Sequence, residues 1–165
     1  MSWGKSVSAD FKERVRQIAV HLDIDVDFLM ACIAFESGET FSASIKNRAS
    51  GATGLRQFMP ATARRLGTTI DLLAAMSAEA QLEFVERYFQ AYAGRLRTLA
   101  DVYMAILWPH AVSQPDDFVL FSEPGIAYRQ NSHLDTNGDG RVTKLEAAAL
   151  VNRKLVKGNE EAHRG

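Results

Sequence analysis

The chain has a single cysteine, Cys32, among its 165 residues, so no internal disulfide can form and a disulfide-stapled secreted scaffold is excluded. Charge of one sign is also lacking, with 19 Lys and Arg against 20 Asp and Glu and a net charge of -1. Without a global positive field, no nucleic acid partner is expected. No run of about 18 apolar residues occurs, so no membrane span is expected. The opening residues, MSWGKSVSADFKERV, lack the apolar centre of a signal peptide, and work outside the cytoplasm would require another agent of delivery. There is no internal repeat and no low-complexity segment.

What is present is enough apolar material, 47% of 165 residues, to bury one core. A single, mainly α domain over residues 1–165 is expected, as a monomer. Phe11, Val15, Ile18, Ala19 and Leu22 recur at helical spacing behind Ser8, a ready N-cap. A second helix is predicted from Asp25 to a stop near Gly38, with Glu36 in its last turn. The run from Glu39 to Gly54 is rich in Ser, Asn and Gly, and predicts a loop or small irregular hairpin. Further helices are predicted from Pro60 to Gly67, from Ala78 to Tyr92 behind Ser77, from Leu99 to Trp108 behind Thr98, and from Thr143 to Lys157. The stretch from His110 to Asn131 is expected to be irregular. Cys32 falls inside an apolar helical pattern and is expected to be a small core residue.

Steps of four back from Glu36 reach Cys32 and Phe28, so its side chain continues an apolar helix face. Desolvation raises the pKa of such a carboxyl, and an acid still protonated near neutral pH can serve as general acid. The negative end of the helix dipole acts in the same direction. The other reading places Glu36 at a solvated helix end, or in a pair with Lys46, Arg48 or Arg56.

The run Phe35-Glu36-Ser37-Gly38, then Ser50 through Ala63 (SGATGLRQFMPATA) and Leu66-Gly67-Thr68, resembles the signature of the soluble lytic transglycosylase and goose-type lysozyme superfamily, especially its compact phage-type members. The likeness covers about Leu22 to Thr69 and is weaker beyond, where Tyr103 to Pro109 takes the place of a later core helix. It implies a lysozyme-like helical fold and cleavage of the β-1,4 bond between N-acetylmuramic acid and N-acetylglucosamine in peptidoglycan glycan strands. By resemblance, Glu36 is the catalytic acid, and Ser37, Gly54, Leu55, Gln57 and Phe58 build the sugar-binding groove. Asn47 and Tyr128 are further candidate contacts, while Tyr103 and Trp108 are either sugar platforms or core. Arg56 departs from the pattern, standing where an apolar residue is more usual; a local salt bridge and a contact to the peptide stem both stay open.

Most glycosidases use two carboxyl groups, about 5 to 5.5 Å apart for retention and about 6.5 to 9.5 Å for inversion. Glu39 is the nearest candidate for a second one, although Gly38 is expected to break the helix between them. Failing it, the substrate's own 2-acetamido group would assist, and either water or the sugar's 6-hydroxyl would complete the reaction. Such an enzyme would act in the bacterial periplasm or cell wall, delivered by a phage or by a secretion system. An injected toxin would further imply a cognate immunity or inhibitor protein.

The twelve residues from Asp135 to Glu146 (DTNGDGRVTKLE) match an EF-hand loop. Side-chain oxygens fall at Asp135, Asn137 and Asp139, the turn glycine at Gly140, a backbone carbonyl at Arg141 and a bidentate carboxylate at Glu146. Hard oxygen donors at this spacing predict Ca²⁺ as the cofactor. No entering helix is anticipated before the loop, so it is expected to be a lone structural site that turns Leu145, Ala149 and Leu150 onto the core. The alternative function is a non-catalytic, calcium-dependent module that binds glycan or protein. A calcium signalling protein would need a second EF-hand and a methionine-rich groove, which the five dispersed methionines do not provide.

Overall fold

Ser8 accepts a hydrogen bond from the Phe11 amide at 3.0 Å and opens helix α1 (Ala9–Leu22), a cap worth about 1 kcal/mol. Phe11, Val15, Ile18, Ala19 and Leu22 form its buried stripe. Helix α2 (Val26–Glu36) follows the Asp25 cap, and every residue from Leu29 to Ala34 is buried. A helix apolar on all sides must be enclosed by others. The computed structural model, which describes Met1–Gly165, encloses it between α1, α6 (Leu99–Leu107) and α8 (Lys144–Gly158). The chain is mainly α, as its periodicity predicts.

The remaining helices are α3 (Pro60–Arg65), α4 (Ile70–Ala75), α5 (Ala78–Phe89) and α7 (Ile126–Asn131). Pro60 starts α3 at its first turn, where its missing N–H costs nothing. The helix α4, capped by Thr69, was not anticipated: six residues are too few to show a period. One continuous core cluster draws on side chains from Trp3 to Val151. No helix is long and apolar enough to cross a membrane.

The stretch from His110 to Asn131 is more ordered than its composition suggests. It contains strand β1 (Val119–Ser122) and α7. β1 pairs antiparallel with β2 (Arg141–Thr143), with Phe121 opposite Val142. α7 and a following turn of 3-10 helix, Ser132–Leu134, lead into the Asp135–Glu146 loop, so a short entering helix does exist. Its anchors are Tyr128 and Leu134, both buried, and two anchors in a polar stretch leave no visible period.

The C-terminal helix packs Leu150 against the core as expected but turns Leu145 outward. Leu145 is 58% exposed, while Lys144, Ala147, Ala148 and Val151 face inward. The phase is fixed by an ion pair: the Lys144 ammonium lies 2.6 Å from Asp101 Oδ1, with both side chains almost fully buried. Lys144 also donates to the Gln114 carbonyl at 2.6 Å, and Asp101 accepts from the Ser113 amide at 2.8 Å. Burial alone would raise the Asp101 pKa, but the Lys144 ammonium and the Ser113 amide bring it below the usual range. This clamp joins the first turn of α6 to the first turn of α8.

Candidate active site

Glu36 is the last residue of α2, half-buried, and it takes part in no ion pair. Burial pushes its pKa up to about 7, against a smaller downward pull from Arg56. Its surroundings are dry: with Cys32, Ile33, Leu55, Arg56 and Ile106 it borders a crevice too narrow for a water molecule. The alternative of a local ion pair with Lys46, Arg48 or Arg56 does not occur.

The loop after α2 is built to stand beside this carboxyl. Ser37 is fully buried, and its hydroxyl donates to the Ile33 carbonyl at 2.7 Å while accepting from the Phe41 amide at 3.1 Å. Both bonds end the helix and turn the chain, so the Ser37 hydroxyl acts as a cap at the end of α2. From there the chain forms a small irregular hairpin, with bridges from Lys46 to Thr53 and from Thr53 to Phe58.

Asn47 shapes the tip of the hairpin. Its Oδ1 accepts from the amides of Ala49 and Ser50 at 2.9 and 3.2 Å, an Asx turn. The residue is exposed. Gln57 is half-buried at φ 51°, and its side-chain nitrogen donates to the Gly54 carbonyl at 3.2 Å. Phe58 is fully buried. It belongs to the core cluster and supports the hairpin from beneath.

Gly54 is required by close approach. Its φ is 84°, and a Cβ built there would come within 2.2 Å of Gln81 Oε1. Gln81, on α5 and fully buried, was missed in the sequence. Its Oε1 accepts from the Leu55 amide at 2.7 Å, and its Nε2 donates to the carbonyls of Ala43 and Leu73 at 3.1 and 2.8 Å. One side chain thereby ties both ends of the hairpin to α4 and α5. The available signal was a glutamine on the buried stripe that runs through Leu82, Val85 and Phe89.

Other candidates are placed elsewhere. Glu39 turns away at φ 67°, with its two oxygens 2.5 and 2.6 Å from the ammoniums of Lys154 and Lys157. Lys154 first and Lys157 second hold its pKa below the usual range. Tyr103 is a core residue, edge-on to Phe35 at 5.3 Å, and its hydroxyl is pushed up by burial and by Glu36. Trp108 is 37% exposed and packs edge-on against Phe121 at 5.2 Å.

Tyr128 is buried, and its hydroxyl donates to Asp135 Oδ2 at 2.7 Å. That bond raises its pKa to about 12 and ties Tyr128 to the C-terminal loop. Within that loop, Asp135 accepts from the amides of Gly138 and Gly140, Asn137 from the Asp139 amide, and Asp139 from the Arg141 amide. Glu146 accepts from the amide and hydroxyl of Thr143 at 2.9 and 2.8 Å, and from those of Thr136 at 3.2 and 3.1 Å. Gly140 takes φ 79°, and Val142 is fully buried. The carboxylates are directed at loop amides and hydroxyls, and no three acidic, cysteine or histidine side chains converge on a single point. All the donors are hard oxygens, a chemistry that fits Ca²⁺.

The larger hollows do not contain Glu36. One of about 500 Å³ lies beside Val20 and Ile24, and another of about 330 Å³ is lined by Arg65, Arg87, Tyr88 and Tyr92. Compared with known protein families and with curated proteins, the chain matches none.

Proposed function

We propose that this chain is a peptidoglycan muramidase that cleaves between N-acetylmuramic acid and N-acetylglucosamine, with Glu36 as its general acid and then its base. The observation that carries the reading is Glu36 itself: an unpaired carboxyl at the end of the central core helix, half-protonated near pH 7. A group with pKa close to the operating pH both donates and accepts a proton efficiently. A polymer lies along an open face, so the absence of a large enclosed pocket at Glu36 is compatible with a glycan substrate.

In the first step Glu36 gives its proton to the leaving glycosidic oxygen as the bond to the anomeric carbon breaks. The substrate's 2-acetamido oxygen supports the charge at that carbon, since Glu39 is committed to two lysines and no other carboxyl lines the Glu36 crevice. In the second step water or the sugar's own 6-hydroxyl bonds to the anomeric carbon and returns a proton to Glu36. Asn47 and Gln57 present the hairpin's polar surface, and Trp108 is a partly exposed aromatic residue.

Ca²⁺ is proposed for the Asp135–Glu146 loop, held by Asp135, Asn137, Asp139, the Arg141 carbonyl and Glu146. Bound there it would supply structural charge and brace α8; no catalytic step depends on it. The proposed site of action is the bacterial periplasm or cell wall, after delivery by a phage or a secretion system; an injected toxin would have a cognate immunity protein.

Digestion of purified sacculi followed by mass spectrometry tests the reading. Soluble muropeptides with 1,6-anhydro ends would identify a lytic transglycosylase, and reducing ends a hydrolase. Failure to release soluble fragments from sacculi of several wall types would leave only a non-catalytic glycan- or protein-binding role.

A further inference from the structure

Arg56 is buried, yet its Nε and Nη1 have no hydrogen-bond partner, and the guanidinium joins no ion pair. An unpaired cation in the interior is costly, so something must offset it. Part of the offset is aromatic: the guanidinium carbon lies 3.4 Å from the centre of the Tyr88 ring and 5.1 Å from that of Phe58. These contacts fix the group in place without consuming its charge. The other neighbour is Glu36, which borders the same dry crevice.

We infer that Arg56 is the counter-charge for Glu36, a positioning residue that holds the carboxylate formed each time the acid gives up its proton. A lone acid/base residue must exist as an anion midway through its cycle, and here that anion forms against Leu55, Ile33 and Ile106. Every other titratable group coupled to Glu36 or to Arg56 fails to supply positive charge. Cys32 on α2 and Tyr103 on α6 are both pushed up by burial, hence neutral near pH 7, and Tyr88 on α5 is likewise raised. Tyr92, just beyond α5, carries no positive charge in any state. Arg56 alone is cationic. The pull is reciprocal: Arg56 lowers the Glu36 pKa, and Glu36 raises that of Arg56 against its desolvation. Full contact would drive the carboxyl to permanent ionisation, whereas separation beyond ion-pair distance across an apolar crevice leaves it able to bind a proton.

The catalytic part of this inference rests on the muramidase reading; the electrostatic part does not, and is tested without substrate. The Glu36 carboxyl is followed by ¹³C NMR through pH in the unchanged chain, in Arg56→Met and in Arg56→Lys, with near-UV circular dichroism as a check of fold. Arg56→Met should move the Glu36 titration upward by about one unit. Arg56→Lys should leave it within about 0.3 unit. In sacculus assays the basic limb of the pH profile should move up with the titration in Arg56→Met, while the plateau rate falls. Met fills similar space without a buried charge, so the fold is expected to hold; if it does not, Arg56→Gln is read in the same way. A Glu36 titration unmoved in a folded, uncharged variant would overturn the inference. A titration that moves as stated in a protein unable to dissolve sacculi would uphold the charge pairing and sink the muramidase reading alone.

Discussion

Glu36 and Glu146 both lie at helix ends, but at opposite ones. Glu36 closes α2, where the backbone carbonyls present partial negative charge, and no side chain or amide binds its carboxyl. Glu146 stands in the first turn of α8, where the dipole is positive, and accepts from two amides and two hydroxyls. Burial would raise the pKa of each. In Glu146 the Thr143 and Thr136 donors reverse that effect, while in Glu36 the unbonded Arg56 across the crevice only moderates it. The carboxyl with the raised pKa and the one with the lowered pKa thus lie at opposite ends of a helix, one without donors and the other with four.

Asp101 sharpens the comparison, being more buried than either and kept ionised by Lys144. Asp101→Ala strands that ammonium in the interior and is expected to cost about 3–5 kcal/mol in urea unfolding. A loss under about 1 kcal/mol would mean that the pair does not clamp α6 to α8. The next largest effect concerns Glu146. Ca²⁺ at one hundred times its dissociation constant should stabilise the chain by about 2.7 kcal/mol. Thermal melts should show the rise in the unchanged chain and in Glu36→Gln, and lose it in Glu146→Gln.

The Glu36 proton itself is linked to folding. With the pKa raised in the folded state, that state holds the proton more tightly, and stability falls as pH rises from about 4.5 to about 7. Glu36→Gln removes the cost of the buried anion, and should gain on the order of 1–3 kcal/mol at pH 8 and almost nothing at pH 4. Equal gains at both pH values would separate the stabilisation from ionisation. The smallest effect is that of Ser37→Ala, which deletes two bonds at the end of α2 and should cost about 1 kcal/mol by denaturant unfolding. Substrate binding should be retained, since that hydroxyl is turned inward.

The long helices were legible because their apolar residues recur with a clear period and each has a polar cap, as with Ser8, Ser77 and Thr98. Glu36 was legible for the same reason: it continues the apolar face of α2. The short elements were not, since α4 and α7 hold six residues each and bury one side chain each. Side-chain direction was the harder part of the site. Motif position alone could not show that Ser37 points back at Ile33, that Phe58 lies under the hairpin, or that Tyr128 serves Asp135. Gln81 lay outside expectation, and Arg56 was singled out without its stack on Tyr88, because each acts through contacts with segments distant in sequence.

The central claim is that the unpaired acid at the end of α2 carries the chemistry. Soluble muropeptide release from purified sacculi, measured as a rate near pH 6 for the unchanged chain and for a folded Glu36→Gln variant, tests it most directly. The account predicts a loss of about 100-fold or more on replacement; release at an unchanged rate by Glu36→Gln would contradict it.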